Sequence, residues 1–297
     1  MEQSVIALGF FDGVHLGHGS LLRRARELGD SLGCKSLAVS FDRQPASLLS
    51  GITPPLLSGM KEREYWIRSL YGLDEVVFLP FDREMMELGW EDFLGNILLE
   101  KLHACHLVCG FDYRFGHLGL GNAQRLRDFC AAHNLGCDVL PEFRLDGVPV
   151  HSTLIRELLL DGKTEEASRL LGHPYLLSGE VIPGKQLGRT WGTPTANLDL
   201  SGQTPVLAPG VYATEISFDG MTYPAVTNYG TCPTLGGNTS TLESWIPDFS
   251  GDLYGQEIQV FFHAYLRPEQ TFSSPEELRN AILRDAKKAQ NYLREIK

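Results

Sequence analysis

The residues of this chain best suited to chemistry come early. Gly9–His18 reads Gly-Phe-Phe-Asp-Gly-Val-His-Leu-Gly-His. Glycines 9, 13, 17 and 19 let backbone amides approach a bound group closely. Amides that open a helix present positive charge to an anion. His15 and His18 are three apart, so on a helical first turn they share a face. Two imidazoles and a row of amides make a receptor for phosphate. A glycine-rich connection with two surface histidines is the plain alternative for any one of these features. Their order favours phosphate chemistry: an apolar run, Val5–Leu8, precedes the turn, and a helical pattern, Ser20–Leu32, follows it. That pattern puts Leu21, Leu22, Ala25, Leu28 and Leu32 on one face.

Three later stretches hold further candidates. Gly110–Gly116 alternates aromatics with Asp112 and Arg114. It reads either as a strand end packed by aromatics or as a nucleotide contact, in which the glycines and Asp112 meet the nucleotide. In His151–Leu160, Ser152 or Thr153 caps a helix and Arg156 lies one turn in. A hydroxyl, free amides and a guanidinium at a helix start suit a pyrophosphate; an ordinary capped helix is the alternative. Gly184–Asn197 holds three glycines, Lys185 and Arg189, then Pro194-Thr195-Ala196-Asn197. It lacks the Walker spacing. In an extended segment Thr195 and Asn197 point the same way, and both offer hard oxygens suited to Mg²⁺. A basic hairpin followed by a turn is the alternative there.

The elements that must position these groups change character midway. Apolar runs at Val5–Leu8, Leu37–Phe41, Val76–Leu79, Leu107–Cys109 and Cys137–Leu140 read as strands. They alternate with helical patterns at Ser20–Leu32, Lys61–Tyr71, Trp90–Leu102 and Ala123–His133, the last capped by Asn122. Within Lys61–Tyr71, Tyr65, Trp66 and Leu70 fall on one side. The alternation implies an α/β domain with a parallel sheet and helices on both faces. Ligands of such sheets sit outside the carboxyl ends of the strands. After a short helix, Thr164–Leu171, Gly172-His173-Pro174 breaks the pattern. Tyr175–Ile182, Val211–Phe218, Thr222–Thr227, Ser240–Ile246 and Ile258–Leu266 follow as strands without intervening helices, which implies an antiparallel sheet or small barrel. A last helix, Ser274–Ile296, has Ser274 as cap, Pro275 in its first turn and an apolar stripe of Leu278, Ile282 and Leu283. The expected domains are 1–172 and 173–297.

Composition narrows the function classes. The formal net charge is −11 over 297 residues, which disfavours a nucleic-acid or anionic-membrane surface. A local pocket lined by Arg114, Arg156, Lys185 and Arg189 remains open to ATP. The six cysteines form no Cys-x-x-Cys pair and no zinc-like frame, as in reduced cytoplasmic proteins. No stretch approaches the roughly 20 apolar residues of a membrane span, and the first residues carry no basic leader. The expectation is a soluble cytoplasmic protein, monomeric or weakly self-associating, without nucleic-acid or membrane partners.

Taken together, the motifs resemble the prokaryotic bifunctional riboflavin kinase/FAD synthetase family. In the first half the matching pieces are Asp12–His18, Phe41-Asp42, Gly110–Gly116 and Ser152-Thr153-x-Ile155-Arg156. In the second half they are Pro194–Asn197, Asn228–Thr234, Glu243 with Phe249–Gly255 downstream, and Arg267-Pro268-Glu269-Gln270-x-Phe272. The resemblance implies a nucleotidylyltransferase sheet joined to a flavokinase barrel. It implies that ATP and Mg²⁺ meet riboflavin in the second domain. Thr195 and Asn197 would hold the metal, Gly184, Lys185 and Arg189 the nucleotide, and Asn228 and Arg267 the flavin side, with Glu243 accepting the proton of the attacking hydroxyl. It further implies that the first domain joins FMN to AMP, giving FAD. There Gly9, Phe10, Phe11 and Asp112 would line the ligand, His15 and His18 would stabilise the transferring phosphoryl group, and Ser152, Thr153 and Arg156 would hold pyrophosphate. The chain departs from the family at Phe10 (usually Asn), Gln44 (His), Leu154 (a basic residue), Cys232 (Arg) and Trp245 (His), and Pro247 interrupts an apolar position. Three other readings stay open on the residues: one activity only, a different nucleotidylyltransferase, or a flavin-binding protein without turnover.

Overall fold

The computed structural model describes residues 2–45, 55–184, 194–201, 203–234 and 237–296, with backbone alone at 231–234 and 237–239. The chain divides into two compact units, residues 1–54 with 59–151 and residues 55–58 with 152–297.

The first unit runs β1 (Ser4–Leu8), α1 (Leu16–Leu32), β2 (Lys35–Phe41), α2 (Met60–Tyr71), β3 (Glu75–Leu79), α3 (Arg83–Glu87) and α4 (Trp90–Asp92). It continues with α5 (Phe93–Lys101), β4 (Ala104–Gly110), α6 (Ala123–Ala132), β5 (Gly136–Leu140) and a small hairpin of β6 (Arg144–Leu145) and β7 (Val148–Pro149). The first five strands form one parallel sheet in the order β3-β2-β1-β4-β5. β1 is buried at every position, which is why its sequence is an apolar run rather than an alternation. Ile6, Leu8, Leu37, Val39, Leu98 and Leu107 lie in one core cluster. Asn122 caps α6 as expected, accepting the Arg125 N–H at 3.0 Å.

Several expectations for this unit are corrected. α1 begins at Leu16 with His15 as its cap, so the histidine turn is the helix start itself rather than a connection before it. Leu32 is 53% exposed, because the chain leaves the helix at Gly33 in the left-handed region. α2 buries Glu62, Arg63, Trp66, Ile67 and Tyr71, whereas Leu70 stays exposed. The buried face is thus turned from Tyr65–Trp66–Leu70 towards a charged pair. Trp90–Leu102, expected as one α-helix, widens from Phe93 onward; the Leu102 N–H donates five residues back, to the Ile97 carbonyl, at 3.0 Å.

The second unit contains α7 (Ser152–Leu160), α8 (Thr164–Leu171), β8 (Tyr175–Ile182), β9 (Thr195–Leu198), β10 (Gly210–Phe218), β11 (Met221–Thr234), β12 (Gly237–Trp245), β13 (Glu257–Arg267) and α9 (Pro275–Glu295). The six strands close into an antiparallel barrel, β10-β11-β12-β9-β8-β13. Closure leaves no open edge. Three buried hydroxyls on adjacent strands satisfy one another: Thr214 to Thr227 at 2.7 Å and Thr227 to Ser244 at 2.8 Å. Ser274 caps α9, accepting the Glu277 N–H at 3.2 Å, with Pro275 next. The buried face of α9 is Ala281, Asp285, Ala286, Ala289 and Leu293, not the expected Leu278–Ile282–Leu283 stripe. Alanines let the helix lie close to the barrel, where Ala289 meets Ala213 and Ala264. α8 lies against β8 and β13, and the Ala208 N–H donates to the Leu159 carbonyl at 3.1 Å. These contacts group α7 and α8 with the barrel, so the compact units divide after His151, earlier than the change of sequence pattern near 173.

Candidate functional site

In the first unit, β1 and β4 are neighbours whose chains continue to opposite sides of the sheet. Such a switch point opens a crevice at the carboxyl ends of the strands. Gly9–His18 leaves β1 there and Gly110–Gly116 leaves β4. The first loop turns sharply: Phe11, Gly13 and Val14 have φ of 57°, 78° and 43°, and the Val14 N–H donates to the Phe11 carbonyl at 3.0 Å. A β-branched residue at positive φ is strained, and such strain clusters at functional sites.

The turn delivers the two imidazoles stacked. Their centroids are 3.6 Å apart and their planes 16° apart. His15 Nδ1 accepts the His18 backbone N–H at 3.2 Å. An accepting Nδ1 carries no proton, so His15 is neutral and its Nε2 is a donor. His18 Nδ1 is sealed from water without a hydrogen-bond partner among the described residues. Burial, then the neighbouring His15 and Arg63, hold the His18 pKa well below the ordinary imidazole value. The pair therefore works as neutral hydrogen-bonding groups rather than as cations.

The glycines of the turn answer mainly to protein side chains. A Cβ at Gly9 would strike the Phe11 ring at 2.8 Å, one at Gly17 would press the His15 ring at 3.1 Å, and one at Gly19 would overlap the Tyr71 hydroxyl. Gly13 alone of the four sits in the left-handed region. Phe11 is fully buried, edge-on to His18 at 5.4 Å. Phe10 covers Arg63 at 4.5 Å. Both rings are thus committed to the protein. Asp112 and Arg114 are exposed after β4. Beside them lies an apolar cavity of about 180 Å³ lined by Phe41, Phe81, Met85, Arg114, Phe115 and Leu118.

Arg63 escaped the sequence reading. A lone arginine in a helix ordinarily reads as solvated, yet this one is fully buried. Its signal was register: positions 63, 66 and 67 share a helical face.

In the second unit the barrel register assembles the candidates. Ala196 and Leu198 are buried, so Thr195 and Asn197 project from the opposite face of β9. Glu243 on β12 stands directly across from Asn197 on one side and from Asn228 on the other. These three residues form a single row over adjacent strands. Asn197 Nδ2 donates to the Thr195 carbonyl at 3.5 Å, and Asn228 Nδ2 to Glu269 Oε1 at 3.4 Å. Gly184 lies so near the Asn197 amide that any Cβ would overlap it. A cavity of about 210 Å³ reaches Thr195 but not the row itself; it is lined by Val181, Thr195, Ser244, Phe249, Asp252 and Tyr254.

Other candidates fall elsewhere. Arg267 gives Nε and Nη2 to Asp285 at 2.9 and 2.8 Å and Nη1 to the Pro268 carbonyl at 3.0 Å. Those donors hold α9 to the barrel. Ser152 and Thr153 are the first two residues of α7 rather than the residue before it. Arg156 Nε donates to the Pro55 carbonyl at 3.0 Å within the same unit. Lys185 and Arg189 lie outside the described residues, and of Cys232 only the backbone is described. Among the described residues no group of three or more His, Cys, Asp or Glu could hold a metal ion. A divalent cation would instead meet the hydroxyl and amide oxygens of Thr195 and Asn197, hard donors suited to magnesium.

Comparison with known proteins bears on both units. Residues 1–154 match the FAD synthetase family model and residues 171–293 the riboflavin kinase model. A bifunctional riboflavin kinase/FMN adenylyltransferase of Pseudomonas fluorescens is 36% identical over 282 residues, covering 95% of this chain and 90% of that protein. One from Escherichia coli K12 is 36% identical over 294 residues, covering 98% and 93%. Among solved structures, a protein from Streptococcus pneumoniae described as a macrolide-efflux protein superposes with a TM-score of 0.86 at 30% identity, covering 98% of this chain and 94% of that one.

Proposed function

This chain belongs to the bifunctional riboflavin kinase/FMN adenylyltransferase family, and on that premise we propose that it phosphorylates riboflavin to FMN and then adenylylates FMN to FAD, drawing on ATP at two separate places. The observation that carries this is the pairing, in one chain, of stacked imidazoles at the switch point of a parallel sheet with an Asn197–Glu243–Asn228 row on a closed barrel. No described helix of this chain is long and apolar enough to cross a membrane.

The kinase step belongs to residues 173–297. Riboflavin's terminal ribityl hydroxyl attacks the γ-phosphorus of ATP, the bond to the β-phosphate oxygen breaks, and ADP leaves. Glu243 accepts the hydroxyl proton. Asn197 and Asn228 flank that carboxylate on the neighbouring strands. Thr195 and Asn197 would hold Mg²⁺, which when bound neutralises charge on the phosphates. The cavity beside Thr195 and Ser244 suits the nucleotide, and the motif assigns Gly184, Lys185 and Arg189 to the same ligand. Positioning and charge neutralisation supply most of the rate.

The adenylyl step belongs to residues 1–172. An FMN phosphate oxygen attacks the α-phosphorus of a second ATP, and pyrophosphate departs. The nucleophile is already ionised at neutral pH, so no strong base is required. Neutral His15 and His18 donate hydrogen bonds to the transferring phosphoryl oxygens, together with backbone amides at Phe10 and Phe11, while Gly9 gives its own N–H to the Val39 carbonyl and lines the turn. The apolar cavity beside Arg114 takes the flavin ring, and Asp112 lies two residues before Arg114 on the same loop. Both reactions use soluble small molecules, so we place the protein in the cytoplasm, acting as a monomer or weak homo-oligomer.

The test is product chromatography after incubation with ATP and Mg²⁺ and either riboflavin or FMN. Both steps should occur. His18→Ala should lower FAD formation and leave FMN formation intact. A chain that turned over only one flavin would restrict the function to that half.

A further inference from the structure

Arg63 takes no part in either reaction as written, yet it is the largest fully buried side chain of the described residues. Its Nη1 lies 2.9 Å from the Phe10 carbonyl, 2.8 Å from Ser40 Oγ and 3.0 Å from the Phe41 carbonyl. Its Nε donates to the Gly59 carbonyl at 3.3 Å. The guanidinium carbon sits 4.5 Å from the Phe10 ring centre and 5.0 Å from that of Phe78. Ser40 Oγ also donates to the Phe10 carbonyl, at 2.8 Å.

We propose that Arg63 is a positioning residue for adenylyl transfer: wedged between Phe10 and Phe78, it clasps the loop leaving β1 to the loop leaving β2 and so fixes where the two imidazoles stand. The proposal rests on reading the first unit as the adenylyltransferase. The Phe10 carbonyl is bound from two sides, five residues before His15. The Phe41 carbonyl opens the Asp42–Pro45 loop on the same edge of the sheet. One cation therefore spans two loops that must hold a fixed separation around a triphosphate. A planar guanidinium can do this because it donates in several directions while presenting flat faces to aromatic rings.

The same geometry accounts for a departure from the family. Phe10 stands where Asn is usual, and here its ring is the roof over the guanidinium. Arg63 remains charged in spite of its burial: desolvation brings its pKa down to about 10, while Asp12, Glu62 and Asp42 act in the opposite direction. Its positive charge is in turn one of the influences that keep His18 neutral. Position and protonation of the imidazoles thus meet in one side chain.

The test compares Arg63→Met, Arg63→Lys and Ser40→Ala in the full chain. FAD formation from FMN is measured as kcat and KM for ATP, per folded molecule. FMN formation from riboflavin serves as the control in the same molecule, and ¹⁵N imidazole spectra report the two histidines directly. Arg63→Met should lose about 100-fold in kcat for FAD, the cost of misplacing reacting groups by about 1 Å, with KM for ATP within about threefold. The imidazole signals should move, and FMN formation should stay unchanged. Arg63→Lys should recover about tenfold of that loss, since one contact and the charge return. A folded Arg63→Met with wild-type kcat per folded molecule and unmoved imidazole signals overturns the clasp. If that variant does not fold, Ser40→Ala decides: a kcat loss of about threefold to tenfold with shifted imidazole signals supports the clasp, and no change in either overturns it. Should the wild type itself make no FAD, the assignment of the reaction fails instead, and the imidazole spectra of the variants decide the clasp alone.

Discussion

Replacing Glu243 by Gln isolates the step in which a hydroxyl must lose its proton. Gln keeps the volume and planar end of the side chain, so the row from Asn197 through position 243 to Asn228 retains its shape. What it removes is a proton acceptor. General-base assistance contributes about 10²- to 10⁴-fold, so kcat for FMN formation should fall about 1,000-fold, or about 4 kcal/mol of barrier. The structure also bounds the collateral cost. Glu243 is only half-buried, on the outer face of β12, and substitutions at such places usually change stability by no more than about 0.5 kcal/mol. That is too small to unfold a measurable fraction of a protein stable by several kcal/mol. The assay is initial-rate chromatography with riboflavin, ATP and Mg²⁺, repeated on the same preparation with FMN in place of riboflavin. The second rate should equal the wild type's. The reasoning is refuted if Glu243→Gln keeps more than a tenth of its FMN-forming kcat, or if both rates fall together.

Three further outcomes are expected. Above pH 6.5, the ordinary imidazole value, His18 is neutral in both the folded and the unfolded chain and adds no pH dependence. Below it, the unfolded chain takes up a proton that the buried His18 refuses, so stability of the first unit falls as pH drops from 6.5 towards the lower folded pKa; urea titrations followed through Trp66 and Trp90 across that window, with His18→Gln flattening the trend, check this. Asp285→Ala strands the largely buried Arg267 cation and should destabilise the second unit by about 3–5 kcal/mol, measured by denaturant unfolding with FMN-forming activity as the probe. Gly184→Ala forces a Cβ into the Asn197 amide and should cut FMN formation about tenfold, a lesser case of the loss that misplaced reacting groups suffer, while leaving FAD formation from FMN untouched.

The sequence made the fold legible where burial has a period. β1 is an unbroken apolar run because both faces of the parallel sheet are covered, and the barrel strands could be found because Ile258, Val260 and Phe262 alternate inward. It failed where one residue type serves an unusual partner. Leu278, Ile282 and Leu283 look like the buried stripe of α9, but alanines and Asp285 occupy that face because close approach and a bond to Arg267 matter more than bulk there. The same logic hid Arg63, whose charge reads as a surface signal until Phe10, Ser40 and Phe41 supply its partners from elsewhere in the chain. For the site, the motifs singled out His15, His18, Thr195, Asn197 and Glu243 as candidates, but not the reason for the glycines. Spacing alone suggests close approach to phosphate, whereas Gly9, Gly17 and Gly19 make room for Phe11, His15 and Tyr71. A pattern of small residues records what lies against the backbone without telling a ligand from a neighbouring ring.

The contrast between the two candidate sites follows from their nucleophiles. A phosphate monoester arrives ionised and needs only a place where negative charge can accumulate at the transferring group. Neutral, stacked imidazoles meet that need better than imidazolium ions would. A charged pair at 3.6 Å would repel itself and, once buried, would be costly to keep protonated; as neutral rings both keep an N–H for the phosphoryl oxygens. A primary hydroxyl arrives protonated and needs an acceptor, and a carboxylate standing between two amides in the barrel register supplies one. The two units thus put opposite demands on their ionisable groups. In the first, burial, His15 and Arg63 all push His18 towards neutrality. In the second, Glu243 stays half-exposed on the outer face of the barrel. A single chain can therefore run both steps at one pH, because the group that must stay neutral is buried and the group that must stay charged is not.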